Sequence, residues 1–313
     1  MSDSDRDSPA WRQTPSAYLA TRPPRGPAGR PRSLYLTMPD GCRLAVDVYL
    51  PPESPDRVPA ILIFTPYYRR FALKTGASPE IEASPGLARW RDLFVPRGYA
   101  LVVVDVRGTG ASFGTRDSFR SPRERDDYAR IAEWVAAQPW SDGRIGATGI
   151  SYVGAACDFL ASSGNPTVRA IAPLSAVWDT YIDHYYPGGL LLNRLAQSYD
   201  TLMIALDHDR RDLLREFAYF KDPNLAGPAP VDDDPGAQAR DRAVGEHTAN
   251  FRMPAFITEF RYHDDALPYD PEFTPASFSP CHYAHQIPSD VAVLSVSAGW
   301  TGRDTRTVQS RAS

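Results

Sequence analysis

Ser151 is surrounded by residues suited to exposing a nucleophilic hydroxyl group. It lies in Gly149-Ile-Ser-Tyr-Val-Gly154, between an apolar, small-residue run at 143–150 that is typical of a buried strand and an apolar run at 155–160 that favours a packed helix. A sharp strand-to-helix turn presents a serine hydroxyl, and nearby glycines avoid Cβ clashes in a strained backbone. The start of the helix favours negative charge beside the serine. The segment therefore predicts a nucleophile elbow at Ser151.

The glycine spacing of this segment differs from the general Gly-x-Ser-x-Gly pattern of such elbows. Val153 stands where that pattern has glycine, and Gly154 follows one residue later. Taken alone, the segment leaves a chance match and a catalytic serine equally open.

The segments before the elbow predict a parallel α/β sheet. Residues 100–105 form a β-branched run typical of a central strand, and a glycine-rich turn follows at 106–112. Apolar residues at helical spacing then predict a helix over 123–138, which ends before Pro139. In such strand-helix-strand folds, reactive groups collect at the carboxyl ends of the strands.

Three motifs, in this order, resemble those of the CocE/NonD hydrolases. They are Asp105-Val-Arg-Gly-Thr-Gly110, Gln138-Pro-Trp-Ser-Asp-Gly143 and Gly149-Ile-Ser-Tyr-Val-Gly154. That group includes cocaine esterase, α-amino-acid ester hydrolases and X-Pro dipeptidyl-peptidases, and Val153 agrees with its own pattern. The resemblance covers about residues 33–300 and implies an α/β-hydrolase fold and a serine mechanism that needs no metal or organic cofactor.

The resemblance also implies roles for three residues. Ser151 is expected to be the nucleophile, with the backbone N–H of Tyr152 as one oxyanion donor and the Tyr67 phenol as the other. Tyr67 follows a proline at the end of the predicted strand 60–64, and the adjacent Tyr68 is the alternative. One such donor contributes about 3 kcal/mol to transition-state stabilisation. A tyrosine after proline is also a common packed turn residue.

The acid and the base of a triad do not follow from the sequence. In α/β-hydrolases an Asp or Glu and then a His come after the serine. Residues 291–300 resemble the strand before the acid, but the family's acid position holds Gly302, and the nearest carboxylate is Asp304. All the histidines precede Trp300, and each is expected to be exposed or hydrogen-bonded in the core. They are His184, His208, His247, His263, His282 and His285.

The tail at 301–313 has three arginines and almost no apolar residues, so it does not continue a hydrolase core. We expect a change of reading frame or another break near Thr301. Such a break would remove the acid, the histidine and the C-terminal β-rich domain of the family, and would impair the activity of this chain. The alternative is a non-catalytic pseudoenzyme or truncated fragment that binds apolar ligands.

The expected organisation has five parts. A flexible lead-in at 1–32 precedes the first part of the core at 33–178, and a mostly helical cap follows at 179–285, with a loop at 222–236. The return strand is expected at 286–300, before the tail at 301–313.

The cap is expected to cover the nucleophile and to set substrate choice. Its aromatic residues predict an apolar pocket, although packing within the cap itself is the alternative for each of them. An α-amino ester or dipeptide would also need carboxylates for its ammonium group, and Asp264 and Asp265 are available. The candidate wall residues are Trp178, Tyr181, Tyr185, Tyr186 and Phe220.

Composition narrows the function classes. The chain has 313 residues, of which 42% are hydrophobic and 23% charged, and its net charge of -4 gives no basic surface for nucleic acid. The amino terminus lacks the apolar run of a signal peptide, and no run is long enough to span a bilayer. We therefore expect a cytoplasmic enzyme that acts on a small ester, amide or short peptide, without nucleic acid or membrane as a partner; its oligomeric state stays open.

Two other classes of site have little support. The three cysteines are too widely spaced for a disulfide framework, and Cys157 is expected in the core. Cys281-His-x-x-His285 lacks an evident fourth metal ligand. The turn at 107–112 lacks the spaced third glycine of a dinucleotide loop.

Overall fold

A computed structural model describes residues 13–52, 57–299 and 305–308. A nine-stranded sheet runs in the order β1-β2-β5-β3-β6-β7-β10-β11, with β9 beside β7, and β4 and β8 form a separate pair. The strands are β1 (Arg32–Thr37), β2 (Arg43–Tyr49), β3 (Val58–Thr65), β4 (Phe71–Leu73), β5 (Ala100–Asp105), β6 (Ser141–Ile150), β7 (Val168–Leu174), β8 (Leu225–Pro228), β9 (Ala292–Val293), β10 (Val296–Gly299) and β11 (Thr305–Val308).

The centre of the sheet is parallel and its outer strands are antiparallel. β3 pairs in parallel with both β5 and β6, and β6 pairs in parallel with β7. β1 and β2 form an antiparallel hairpin, whose turn contains Gly41 with a φ of 85°. This arrangement confirms the predicted mostly parallel α/β sheet.

Helices cover both faces of this sheet. In β5, Val102 and Val104 join the core that includes Tyr128 of α3, whereas Leu101 and Val103 join a second core against Trp90 of α2. The alternation places the buried strand between two helical layers. The helices are α1 (Pro15–Ala20), α2 (Ala88–Phe94), α3 (Pro122–Ala136), α4 (Tyr152–Ser162), α5 (Asn193–Asp207), α6 (Arg211–Leu214), α7 (Gln238–Glu246), α8 (Met253–Thr258) and α9 (Pro280–Tyr283).

A buried ion-pair cluster joins β2, β5 and the chain after β3. The Arg69 side chain is fully buried, with its Nε 2.9 Å from Asp47 and a terminal nitrogen 3.0 Å from Asp105. Asp105 also accepts a hydrogen bond from the Ala111 N–H at 3.0 Å. A Cβ at Gly110 would lie 2.3 Å from an Asp105 oxygen, so glycine is required there. The glycine-rich turn therefore packs against the Asp105 carboxylate and donates a hydrogen bond to it.

Four segments differ from the sequence-based expectations. The lead-in contains α1, whose first turn is capped by the Thr14 hydroxyl. The predicted loop at 222–236 contains β8, because its backbone pairs antiparallel with β4. The predicted single return strand is divided into β9 and β10, and part of the expected non-core tail pairs with β10 as the edge strand β11. Such pairing needs only backbone groups, which apolar periodicity does not report.

No helix in the described ranges is both long enough and apolar enough to cross a bilayer.

Candidate active site

The ends of two neighbouring strands bring Ser151 and Tyr67 together. β3 and β6 are adjacent and parallel, so their carboxyl ends lie at the same edge of the sheet. Tyr67 comes two residues after β3 ends, and Ser151 directly follows β6. Both line one cavity of about 330 Å³, hereafter the Ser151 cavity.

Ser151 has a strained backbone and an exposed position. Its φ of 60° and ψ of -121° lie in a region that residues with a Cβ rarely occupy, at a cost of about 1–3 kcal/mol. The bend is held from both sides. The Ser151 N–H donates to the Leu174 carbonyl at 3.0 Å, and its own carbonyl accepts from the Ala155 N–H at 3.0 Å. The predicted strand-turn-helix geometry is therefore present, with α4 beginning at Tyr152.

The two glycines that flank Ser151 are required by close packing. A Cβ at Gly149 would lie 2.2 Å from a methyl carbon of Val153. A Cβ at Gly154 would lie 2.9 Å from the Gly149 carbonyl oxygen and 3.0 Å from that of Leu174. The close backbone packing that requires glycine thus occurs at position 154 rather than 153, and the Val153 side chain lines the cavity.

Tyr152 is fixed beneath the turn. It is the first residue of α4, so its N–H belongs to the helical turn that lacks carbonyl partners four residues earlier. Its buried hydroxyl hydrogen-bonds to Glu124, which also accepts from the Tyr128 hydroxyl at 2.7 Å. The guanidinium carbon of Arg120 lies 5.3 Å from the Tyr152 ring centroid. Burial raises the pKa of Glu124.

Tyr67 is half-buried, and its hydroxyl group faces a residue of the cap. Its N–H donates to the Thr65 hydroxyl at 3.0 Å, and its ring meets that of Tyr152 edge to face, with centroids 6.4 Å apart. The Tyr67 hydroxyl is hydrogen-bonded to the Tyr199 hydroxyl on α5. Burial, followed by the neighbouring Tyr199, raises the pKa of Tyr67 well above its usual value. Tyr67 therefore stays a protonated donor at neutral pH.

The hydroxyl of Tyr68, the alternative oxyanion donor to Tyr67, is already hydrogen-bonded to the cap. It is buried, its φ is 65°, and its hydroxyl donates to the Leu206 carbonyl in α5. The hydroxyl of Tyr68 thus ties the loop after β3 to the cap.

The walls of the Ser151 cavity are mainly apolar and come from both α2 and the cap. Of the five predicted cap aromatics, only Phe220 lines it. Tyr181 stacks on Tyr186 with centroids 4.8 Å apart, and Tyr185 is buried beside Phe278. The wall residues that sequence reasoning missed include Pro85, Leu87, Arg89, Trp90, Leu202 and Tyr219.

The two acids that are available for an ammonium group are not at this cavity. Asp264 and Asp265 are absent from its described lining. Asp265 instead accepts from the backbone N–H groups of Arg261 and Tyr262, at 2.7 and 2.9 Å. It therefore stabilises a local turn.

The histidines fall into four environments, and none of them lines the described part of the Ser151 cavity. His247 is buried and hydrogen-bonded to the Ser112 carbonyl at 2.7 Å, as expected for a core histidine. The Nε2 atom of His263 lies 2.8 Å from Asp179. His208, His282 and His285 are exposed.

His184 departs from the expectation of a satisfied or exposed ring. Its Nδ1 is buried without a hydrogen-bond partner in the described structure, and its ring meets that of Tyr199 edge to face at 6.1 Å. Burial, followed by the charge of Arg120, lowers the pKa of His184 to about 4. It is therefore a neutral imidazole at neutral pH.

Trp300, Gly302 and Asp304 lie outside the described residues. Within the described residues, no three His, Cys, Asp or Glu side chains are grouped to hold a metal ion. Cys157 is buried in α4, as predicted.

Comparisons with known proteins identify related hydrolases. A family model described as X-Pro dipeptidyl-peptidase (S15 family) matches residues 40–269. The Mycobacterium bovis protein named "Putative serine esterase" is 36% identical over 270 residues, which cover 84% of this chain and 42% of that protein. Cocaine esterase from a Rhodococcus species is 35% identical over 162 residues, covering 51% of this chain and 26% of that enzyme.

One solved structure supports the fold in particular. A crystallised α-amino acid ester hydrolase aligns with a TM-score of 0.50 at 19% identity, over 84% of this chain and 41% of that one. The family model and the two relatives confirm the resemblance to the CocE/NonD hydrolases, and this solved structure confirms the α/β-hydrolase fold. The chain spans less than half the length of these relatives.

Proposed function

Because the chain belongs to the X-Pro dipeptidyl-peptidase (S15) family, we propose that it is a serine hydrolase that cleaves a small carboxylic ester through an acyl-enzyme. Ser151 attacks the carbonyl carbon, the alcohol leaves, and water then releases the acid. The observation that carries the proposal is the exposed, strained Ser151 in one cavity with the Tyr67 ring.

Two donors stabilise the oxyanion in this mechanism. The Tyr152 N–H and the Tyr67 hydroxyl donate hydrogen bonds to the carbonyl oxygen as it becomes negative. Tyr67 and Tyr199 each have one hydroxyl proton, and their oxygens share a hydrogen bond. When Tyr199 donates in this pair, the Tyr67 proton is left for the oxyanion. Tyr199 is thus a positioning residue.

An ester is favoured over an amide for the chain described here. Amide cleavage needs a general acid to protonate the leaving amine, whereas an activated alcohol leaves without one. The described lining of the cavity has no imidazole or carboxylate. An unassisted serine hydroxyl is a weak nucleophile, so we expect slow acylation and slow turnover of p-nitrophenyl esters.

Labelling with a fluorophosphonate tests the nucleophile directly. The adduct, located by peptide mass spectrometry, is expected on Ser151 and is lost in Ser151→Ala. Ser175→Ala is the matched control, since Ser175 is also exposed, follows β7 and has a positive φ of 45°. It should label at the same rate as the unmodified chain.

Two outcomes contradict the proposal. One is an adduct on another residue that survives Ser151→Ala. The other is binding of apolar ligands without labelling of Ser151, which would favour the non-catalytic alternative.

A further inference from the structure

We propose that Arg89 sets the charge preference of the Ser151 cavity, so that the cavity takes uncharged apolar groups and excludes groups that carry an ammonium. This inference rests on the proposed function, because it treats the cavity beside Ser151 as the place where part of the substrate binds.

The size and walls of the cavity fit an aryl group on a short chain. Leu87 and Trp90 form one part of the wall, and Leu202 and Phe220 of the cap form another. An apolar cavity of about 150 Å³ holds one benzene molecule. The Ser151 cavity, at about 330 Å³, has room for such a ring and the atoms that join it to the scissile carbonyl.

Arg89 is the one charged side chain among the described residues that line this cavity. Its guanidinium carbon lies 4.7 Å from the centroid of the Trp90 ring, so the charge sits against an aromatic wall. The acids near α2 are engaged by a different arginine. Arg91 pairs with Glu82 at 2.7 Å and with Asp92 at 2.8 Å. No described ion pair neutralises Arg89.

A protonated amine in this cavity is therefore disfavoured for two reasons. It loses hydration against apolar walls, and it meets a guanidinium of the same charge. A methylene group in the same place has neither cost. In α-amino esters and in peptides with a free amino terminus, the ammonium is attached to the carbon next to the carbonyl. We therefore expect this chain to act on esters of apolar acids that carry no amino group on the carbon next to the carbonyl.

Binding of two matched amides to the Ser151→Ala variant tests this inference without any turnover. 3-Phenylpropanamide and phenylalaninamide differ only in the amino group, which is charged at roughly pH 6. Isothermal titration calorimetry should show the neutral amide binding at least about tenfold more tightly. Adding Arg89→Gln should reduce this ratio, and Arg89→Glu should reverse it. Arg194→Gln, which removes an exposed charge on α5 outside the cavity lining, should leave the ratio unchanged.

The outcomes separate this inference from the proposed function. Equal binding of the two amides, tighter binding of phenylalaninamide, or a ratio that Arg89→Glu does not move would overturn it. Failure of both amides to bind would overturn it as well. In each case the labelling of Ser151 is an independent measurement, and its result still decides the nucleophile.

Discussion

The two sides of the Ser151 cavity are held by different forces. On the sheet side, Ser151 and Tyr67 follow the ends of adjacent parallel strands, and a buried ion-pair cluster anchors the loop that carries Tyr67. On the cap side, Leu202 comes from α5 and Phe220 from a single helical turn, and both pack through apolar side chains. The ends of β3 and β6, hereafter the frame, thus hold Ser151 and Tyr67, the proposed reacting groups, whereas the cap supplies apolar wall residues and Tyr199, the hydrogen-bond partner of Tyr67.

The largest expected effect is on the frame. Arg69→Met leaves Asp105 buried without a cation and leaves Asp47 paired with Arg70 alone, and should lower the free energy of unfolding by about 3–5 kcal/mol. Arg144→Met is the control, because its pair with Asp142 is exposed on the arginine side and is worth less than about 1 kcal/mol. Urea denaturation measures both. Equal losses in the two variants would mean that the buried cluster does not anchor the sheet side.

The next effect is on the reaction. Tyr67→Phe removes one of the two proposed oxyanion donors and should slow acylation of Ser151 by an ester about 10²-fold. Tyr68→Phe is the control, since that hydroxyl donates to a cap carbonyl. Stopped-flow release of p-nitrophenol gives the rates. If the two variants were slowed alike, Tyr67 would have no special role.

Tyr199→Phe tests the contribution of the cap to the reaction. The variant keeps the ring but loses the hydroxyl that orients Tyr67, so acylation at saturating ester should slow by about fivefold, the size of one neutral hydrogen bond. The apparent affinity for the ester should change little. A weakened affinity at an unchanged maximal rate would assign Tyr199 to substrate packing instead.

A pH effect is expected in the cap. The pKa of His184 is lowered to about 4 in the folded chain from an ordinary value of 6.5, so the folded state binds fewer protons than the unfolded state between these values. The free energy of unfolding should therefore fall as the pH drops through this window, by an amount on the order of 2 kcal/mol. His184→Phe should lose this part of the pH dependence, whereas His208→Phe, at an exposed histidine, should keep it. Parallel curves for all three proteins would refute the burial of His184.

A further effect concerns backbone strain at the turn that carries Ser151. Glycine tolerates the φ of 60° at position 151, whereas alanine does not, and both lack the hydroxyl. Ser151→Gly should therefore be more stable than Ser151→Ala by about 1 kcal/mol. Thermal unfolding compares the two. A less stable glycine variant would show that the turn is unstrained.

Sequence patterns predicted the frame better than the cap, for physical reasons. The β-branched run of β5 and the small residues before Ser151 report local structure, and parallel pairing then brings Tyr67 close to Ser151. The contact of Tyr199 with Tyr67 spans 132 positions of the chain, so no local pattern reports it. Arg89 and Trp90 lie on a seven-residue helix, too short for a clear apolar period. The cap aromatics were predicted as a group, but only packing decides that Phe220 faces the cavity while Tyr185 does not.

A crystal structure of the chain treated with an aryl trifluoromethyl ketone tests the central claim most directly. We predict a hemiketal on the Ser151 oxygen, with its oxyanion about 2.7–3.1 Å from both the Tyr67 hydroxyl and the Tyr152 nitrogen. An adduct on another residue, or an oxyanion that points away from Tyr67, would contradict it.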